Sequence, residues 1–210
     1  MTFSEGFPFS PFFKKDINDM NIGLYFGSFN PIHHGHLLIA NYILQNTELN
    51  QVWFVVSPQN PLKPSGTLLN EYHRLYLVQI AIEGENGLKA ADIEFKLPKP
   101  SYTVDTLAYL QEKYPAHQFS IIMGSDSFQN LPKWKNYGWL LQNYPIYIYK
   151  RPEHTTLPSY PDAKKIVVLD APLLPISSTH IRKNIKEGKS IRYLVPDVVR
   201  EEIEKNGYYR

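Results

Sequence analysis

The stretch IGLYFGSFNPIHHGHLLIA, residues 22–40, joins a short apolar run to a segment of helical periodicity. The run IGLYF is hydrophobic along nearly its whole length, which is typical of a strand buried on both faces of a sheet. From His34 onward, apolar residues recur at the spacing of one helix face. The turn between the two holds three histidines, more imidazole than a turn needs to redirect a chain. We therefore expect a strand–turn–helix unit whose turn binds a ligand.

The rest of the chain repeats this alternation of strand and helix. Further strand-like runs are VWFVV (52–56), FSIIM (119–123), IYIYK (146–150) and KIVVLD (165–170). Helices are expected at 34–45, 70–83 with Asn70 as N-cap, 103–114, and after Ile181, with a restart near Pro196 as first helical residue. The predicted apolar faces of the second and third helices comprise Leu75, Val78, Ile80 and Ile82, and Val104, Leu107, Ala108 and Leu110. This alternation predicts an α/β fold with a doubly wound, mostly parallel sheet flanked by helices.

Composition and charge limit the function classes. The chain has 210 residues, a formal charge of +2 and no cysteine. The small charge argues against coating a nucleic acid polymer, and the missing cysteines exclude disulfides, thiolate metal sites and a cysteine nucleophile. No stretch approaches the roughly 18 apolar residues of a membrane span, so no membrane partner is expected. We expect a cytoplasmic protein, with residues 1–20 as an N-terminal extension and 21–210 as a single domain. A homo-oligomer is compatible with the sequence.

The turn at residues 27–36 has the composition of a phosphate site. Gly27 allows a sharp turn and a close ligand, and the helix that follows offers free N–H groups and a partial positive charge. His33 and His36 are three residues apart, so their rings share one side of the first helical turn. Together these groups would bind a polyphosphate. Two alternatives stay open: the two histidines could share a metal ion, and His34 could be a purely structural residue.

Two motifs together resemble the signatures of the nucleotidylyltransferase superfamily. Gly27, Phe29, Pro31, His33, Gly35 and His36 fill the pattern G-x-F-x-P-x-H-x-G-H, and Ile176–Arg182 reads ISSTHIR, which fits I-S-S-T-x-x-R. By itself, the second motif can also be interpreted as a serine N-cap that starts a helix with an exposed arginine. The same two features, an N-cap and a nearby arginine, are what a second phosphate-binding site needs. The resemblance implies a Rossmann-like nucleotidylyltransferase fold.

Four more stretches are similar to the bacterial nicotinate-nucleotide adenylyltransferases. They are SPQNPLKP (57–64), SYTVDTL (101–107), GSDSF (124–128) and LPKWKNY (131–137). This resemblance implies that ATP and nicotinate mononucleotide are the substrates, that deamido-NAD and pyrophosphate are the products, and that Mg²⁺ is the cofactor. The loop 57–66 is a candidate lid.

The resemblance also implies site residues for ATP. His33, His36 and Arg182 would be the catalytic groups, with His36 nearest the α-phosphate. The nucleophile is a phosphate oxygen that is already ionised at neutral pH, so the protein needs to align two polyanions and neutralise charge rather than supply a base. The full ATP-binding set comprises Gly27, Ser28, Phe29, His33, Gly35, His36, Ile176, Ser177, Ser178 and Arg182. No protein metal ligand is expected.

A second set is implied for the mononucleotide: Lys63, Thr103, Asp126, Trp134, Lys135 and Arg151. Trp134 would stack on the nicotinate ring, and main-chain amides near Thr103 and Lys135 would bind its carboxylate. Lys63 and Arg151 would reach phosphates of either substrate, with solvated surface cations as the alternative. Asp126 would contact a ribose or cap a short helix.

One position departs from the superfamily pattern. Asn30 stands where many members have an aspartate. If that carboxylate helps to place Mg²⁺, the ion here would be held mostly by phosphates and water. The alternatives for function are a nicotinamide-mononucleotide or pantetheine-phosphate adenylyltransferase, and a nucleotide-binding regulator without turnover.

Overall fold

The computed structural model describes residues 19–59 and 68–210. Within these ranges the strands and helices alternate along most of the chain, as the sequence predicts. The strands are β1 (Asn21–Gly27), β2 (Gln51–Val56), β3 (Leu88–Ala91), β4 (Gln118–Gly124), β5 (Ile146–Tyr149) and β6 (Ile166–Leu169). The α-helices are α1 (His34–Asn46), α2 (Glu71–Ala81), α3 (Thr103–Lys113), α4 (Ser125–Gln129), α5 (Tyr137–Asn143), α6 (Ser178–Lys186) and α7 (Asp197–Asn206). Short 3-10 helices cover Ile93–Lys96 and Leu131–Lys133.

The six strands form one sheet in the order β3-β2-β1-β4-β5-β6, and every neighbouring pair is parallel. The chain winds outward from β1 to β3, then returns to β4 on the other side of β1 and winds to β6. This order gives a topological switch point between β1 and β4, where ligands of open α/β sheets bind. The predicted doubly wound α/β fold is confirmed.

Both faces of the sheet are covered by helices. Neighbouring residues along each strand point to opposite faces, so each strand contributes to two apolar clusters. Helices α1, α2, α6 and α7 pack on the face that includes Tyr25, Phe54, Ile122 and Tyr147. Helices α3, α4 and α5 pack on the face that includes Leu24, Trp53, Ile121 and Ile146. Double burial explains why these strands are hydrophobic without alternation.

Several sequence-based expectations were wrong in detail. Ala108 is exposed, and Thr106 takes the buried position on α3. On α2, Leu75 and Ile80 are only half-buried, while Arg74 and Leu77 face the core. Strand β3 was not predicted, because its sequence LKAA is short and lacks β-branched and aromatic residues. Helix α5 was also missed. The short helix that Asp126 was expected to cap is α4, but its N-cap is Gly124 and Asp126 lies in its first turn. Pro196 is the N-cap of α7 rather than its first residue.

Residues 1–18 lie outside the described residues, so the N-terminal extension 1–20 and the single domain 21–210 remain predictions. Among residues 19–59 and 68–210, no helix has both the length and the apolar character that crossing a bilayer requires.

The carboxyl ends of the strands define the edge where the predicted site residues gather. Gly27 pairs with Val56, and Gly124 pairs with Tyr149, so the chain leaves β1, β2, β4 and β5 at one edge of the sheet. Helix α6 reaches this edge by a different route. Three inter-strand gaps, about 14 Å in total, separate β6 from β1, and residues 170–177 are long enough to cross them. The sheet therefore provides one corner of the site, and the crossing segment brings the other.

Candidate active site

The turn after β1 is tightly packed around Phe29. This residue is 2% exposed and has a φ of 43°, a left-handed conformation that is uncommon outside glycine. A Cβ on Gly27 would lie 2.8 Å from Cζ of the Phe29 ring. The absence of a side chain at Gly27 thus lets the phenyl ring fold under the turn, where it meets Tyr25 edge-on at 5.7 Å between ring centroids.

The two predicted catalytic histidines lie against each other at the start of α1. The rings of His33 and His36 are stacked, with centroids 3.7 Å apart and planes inclined by 22°. His33 is the N-cap of α1, and its carbonyl accepts hydrogen bonds from the main-chain N–H groups of His36 (2.9 Å) and Leu37 (3.3 Å). A Cβ on Gly35 would come within 3.1 Å of the His33 ring. Gly35 therefore allows His33 to fold back over the helix terminus.

His33 is neutral at physiological pH. Its side chain is 5% exposed, and burial is the main cause that lowers its pKa from 6.5 to about 4. The positive charge of Arg151 is the second cause, followed by His34. A neutral imidazole can donate one N–H bond without bringing an uncompensated charge into the protein.

The second motif meets the first at this turn. Ser177 caps α6 by accepting a hydrogen bond from the N–H of His180 at 3.2 Å. The Ser178 hydroxyl donates to the carbonyl of Pro31 at 2.9 Å, and Nη1 of Arg182 donates to the carbonyl of Asn30 at 2.7 Å. The N-termini of α1 and α6, each a partial positive charge, are thereby brought to one place.

The departure at Asn30 has a local structural explanation. Asn30 is 3% exposed, and its side-chain Oδ1 accepts a hydrogen bond from the N–H of Leu69 at 3.2 Å. The amide oxygen therefore joins the turn after β1 to the segment that leads into α2. A neutral amide satisfies this buried position without the desolvation cost of a carboxylate.

Arg151 and Asp126 form an ion pair where β4 and β5 end. Nε of Arg151 lies 3.0 Å from Oδ1 of Asp126, and Nη2 of Arg151 donates to the Tyr149 hydroxyl at 3.3 Å. A Cβ on Gly124 would lie 2.9 Å from Nε of Arg151. Gly124 therefore leaves the space that the ion pair occupies. Asp126 has an arginine partner, which the sequence did not reveal.

Lys135, which follows Trp134 in the chain, lies against the start of α3. Lys135 forms a salt bridge with Asp105 in the first turn of that helix, at 2.9 Å, and its ammonium lies 4.9 Å from the centroid of the Tyr102 ring. Thr103 is the first residue of α3, and Trp134 is half-buried at the end of the 3-10 helix Leu131–Lys133. The Lys135 ammonium and the Tyr102 ring are thus close neighbours of the N-terminus of α3.

One predicted residue lies outside the description. Lys63 and most of the candidate lid 57–66 fall in residues 60–67, which the structure does not describe. Their roles remain predictions.

Sequence reasoning missed two buried charged residues at the same edge. Arg74 is fully buried, and Glu94 is 2% exposed. Glu94 accepts hydrogen bonds from the hydroxyls of Ser101 (2.6 Å) and Thr106 (3.0 Å), and burial raises its pKa. The only sequence signal for Arg74 is its spacing, three and four residues before the buried Leu77 and Val78.

Comparison with known proteins identifies the family of this chain. The model of the cytidylyltransferase-like family matches residues 24–184. A protein of Flavobacterium johnsoniae named "Probable nicotinate-nucleotide adenylyltransferase" is 53% identical over 195 residues, covering 91% of this chain and all of the relative. A Bacteroides fragilis protein of the same name is 40% identical, covering 86% of this chain and 90% of the relative. The chain belongs to the nicotinate-nucleotide adenylyltransferase family.

Solved structures share the fold of this adenylyltransferase family. Plasmodium falciparum nicotinic acid mononucleotide adenylyltransferase complexed with NaAD superposes with a TM-score of 0.77 at 22% identity, covering 90% of this chain and 97% of that one. A putative nicotinate-nucleotide adenylyltransferase of Vibrio parahaemolyticus superposes with a TM-score of 0.67, also at 22% identity. These matches confirm the Rossmann-like nucleotidylyltransferase architecture.

The lowered pKa of His33 predicts how the free energy of unfolding changes with pH. Unfolding restores the ordinary pKa of 6.5, so between pH 6.5 and about 4 the unfolded chain binds more protons than the folded one. The stabilisation from neutral His33 is complete above pH 6.5 and is lost as the pH falls to about 4. The free energy of unfolding of wild type relative to His33→Gln should therefore fall by about 2 kcal/mol between pH 7 and 4.5. Urea unfolding at both pH values measures this, and an unchanged difference would contradict a depressed pKa.

Proposed function

We propose that this chain transfers the adenylyl group of ATP to nicotinate mononucleotide, giving deamido-NAD and pyrophosphate. The observation that carries the proposal is the joining of two phosphate-binding motifs by Arg182 and Ser178 at the switch point of the sheet. One triphosphate placed there would lie against two helix N-termini, two imidazoles and a guanidinium. Membership of the nicotinate-nucleotide adenylyltransferase family supports the choice of substrates.

The triphosphate side of the site neutralises charge. We assign ATP binding to the main chain of Gly27–Phe29, to His33, Gly35 and His36, and to Ile176–Ser178 with Arg182. Fixed donors aimed at charge that develops on the α-phosphate and on departing pyrophosphate lower the barrier without reorganising during the reaction. His33 enters the reaction neutral, so approach of a phosphate can raise its proton affinity and strengthen its bond.

The mononucleotide side provides shape and selectivity. We assign stacking on the pyridine ring to Trp134, whose half-buried position restrains it before substrate arrives. The main-chain amides near Thr103, at the N-terminus of α3, and near Lys135 are assigned to the ring carboxylate. The Asp126–Arg151 pair stands at the switch point, where Arg151 can bind a phosphate while Asp126 fixes its guanidinium. Lys63 is proposed as a further phosphate contact.

Magnesium is proposed as the cofactor, held by substrate rather than by a protein cage. Among residues 19–59 and 68–210, no three His, Asp or Glu side chains are grouped closely enough to hold a metal ion. His33 and His36 are stacked face to face, an arrangement that aligns rings rather than directing two nitrogens at one ion. Mg²⁺ commonly binds phosphate oxygens and keeps several waters, which fits such a site. When bound there, the ion adds positive charge at the phosphates.

The cellular setting remains a proposal. We expect the chain to act in the cytoplasm, since a sequence without cysteine has no need of an oxidising compartment. The expected partners are the two small substrates, without a nucleic acid polymer or a membrane. The homo-oligomer stays a prediction.

A direct assay tests the proposed function. Purified chain with ATP and Mg²⁺ is given nicotinate mononucleotide, nicotinamide mononucleotide or phosphopantetheine, and pyrophosphate release is followed. We expect the highest kcat/KM with nicotinate mononucleotide. Preference for either other acceptor would identify a different adenylyltransferase, and no release with any acceptor would favour a nucleotide-binding regulator.

His36 makes a kinetic prediction. Substituting His36→Ala should lower kcat by about 10²–10³, the usual loss for one donor to a transition state, while ATP still binds. The matched control is His34→Ala, which changes the neighbouring imidazole and should stay within a few-fold of wild type. Steady-state kinetics and ATP titration measure both effects. Near-normal turnover in His36→Ala would contradict the catalytic assignment.

The stacking role proposed for Trp134 predicts that its loss affects binding of one substrate more than the other. Removing the ring in Trp134→Ala should raise the KM for nicotinate mononucleotide about tenfold or more, since stacking on a base is worth about 1–3 kcal/mol. The KM for ATP should change much less. Trp139→Ala is the control, because Trp139 is 42% exposed on α5 and is assigned no substrate contact. Equal changes in both KM values would make Trp134 a structural residue.

A further inference from the structure

Arg74 is a buried cation that the proposed reaction does not use. It lies on the core-facing side of α2 with none of its surface exposed. No carboxylate of the described residues lies within salt-bridge distance of its guanidinium. Burial lowers its pKa, which reflects the cost of keeping the charge away from water. An apolar side chain would fill this helix position at a lower cost in desolvation free energy, so Arg74 contributes something that packing alone would not.

The hydrogen bonds of Arg74 go to main-chain carbonyls of three separate loops. Nη1 donates to Ser28 at 2.6 Å and to Ser57 at 2.8 Å. Nη2 donates to Pro58 at 3.1 Å, and Nε donates to Leu69 at 2.7 Å. Ser28 belongs to the turn after β1, Ser57 and Pro58 to the loop after β2, and Leu69 to the approach to α2. One planar guanidinium therefore sets the separation of these loops.

Two arginines hold the same turn from different helices. Arg74 binds the carbonyl of Ser28, and Arg182 of α6 binds the carbonyl of Asn30, two residues further on. Phe29, with its left-handed backbone, lies between these two anchored carbonyls. Charge-assisted bonds of this kind are stronger than neutral ones, so they can hold a strained turn in place.

The bond to Ser28 also has an electronic effect. The Ser28 carbonyl and the Phe29 N–H belong to one peptide unit. A carbonyl that accepts a bond from a cation polarises its peptide unit and strengthens the N–H as a donor. In the proposed ATP site, this N–H belongs to the turn assigned to the triphosphate.

We infer that Arg74 is a positioning residue for adenylyl transfer: its guanidinium fixes the ATP-binding turn against the loop after β2. This inference rests on the proposed function. Arg74 acts through the main chain and touches neither substrate. Its removal should therefore impair both substrates, because the two loops would lose their fixed separation.

The test compares two substitutions of Arg74 with a matched core variant. Arg74→Lys keeps the charge but loses the planar fork, and Arg74→Met keeps the approximate length but loses the charge. The control, Leu77→Ala, opens a cavity one turn along the same buried face of α2, and leucine has no donor that could bind these carbonyls. We expect both Arg74 variants to lose 10- to 100-fold in kcat/KM for each substrate at a temperature where they are folded. Leu77→Ala should lower Tm at least as much but stay within about threefold of wild-type kinetics.

Hydrogen exchange gives a readout that does not depend on turnover. Amides of residues 27–30, Ser57 and Gln59 should exchange faster in Arg74→Lys than in Leu77→Ala, when both are compared at equal distance below Tm. Kinetics within threefold of wild type in Arg74→Lys would overturn the inference. An equal kinetic loss in Leu77→Ala, or failure of both Arg74 variants to fold, would make Arg74 a residue of general stability and would also overturn it. An inactive wild type with the expected exchange pattern would instead count against the proposed function.

Discussion

The contact between α6 and the turn after β1 is the interaction on which the site depends. Ser178 and Arg182 bind consecutive carbonyls, those of Pro31 and Asn30. The parallel sheet places only the first of the two motifs at the switch point, and the second follows a strand at the far edge of the sheet. Without these bonds, the two helix N-termini would be separate weak anion sites. These bonds hold the start of α6 against the turn that leads into α1, so the two N-termini lie in one region of the site.

The electrostatics of this edge are local and depend on burial. The whole chain carries only +2, yet Arg74, Arg151 and Arg182 all lie near the turn after β1. The three guanidiniums differ in their partners. Arg74 is surrounded by carbonyl dipoles, Arg151 is paired with Asp126, and Arg182 spans two motifs. Burial is the main cause that keeps His33 neutral, and the positive charge of Arg151 adds to it. The same positive charge would favour an anion at this edge.

The fold was largely predictable because its strongest signals are local. Continuous apolar runs identify five of the six strands, and Asn70 caps its helix as the sequence indicates, with Oδ1 accepting from the N–H of Tyr72 at 3.0 Å. Strand β3 was not predicted, because a short edge strand needs few apolar residues when the neighbouring strand β2 supplies most of its contacts. The turn at 27–36 was recognisable because it holds more histidine and glycine than a turn needs to redirect a chain.

The side-chain network of the site was less predictable because its contacts span long distances in sequence. Helical periodicity normally assigns an arginine to solvent, so Arg74 was not considered for the core. Its partners are carbonyls, which every residue has, so no sequence pattern marks them. The pairing of Asp126 with Arg151 and the grouping of Ser101 and Thr106 on Glu94 likewise depend on strand order. The sequence shows which charged and polar side chains are available, whereas only the folded chain shows which of them pair with one another.

The distance in sequence between Arg182 and Asn30 also affects the order in which a newly made chain matures. These residues are 152 positions apart, so the ribosome needs about 8–30 s after completing the first motif to deliver the second. During that interval β1, β2 and their helices can form, but the nascent chain holds only the first of the two motifs that Arg182 joins. A ligand that needs both motifs can thus stabilise only the nearly finished polypeptide.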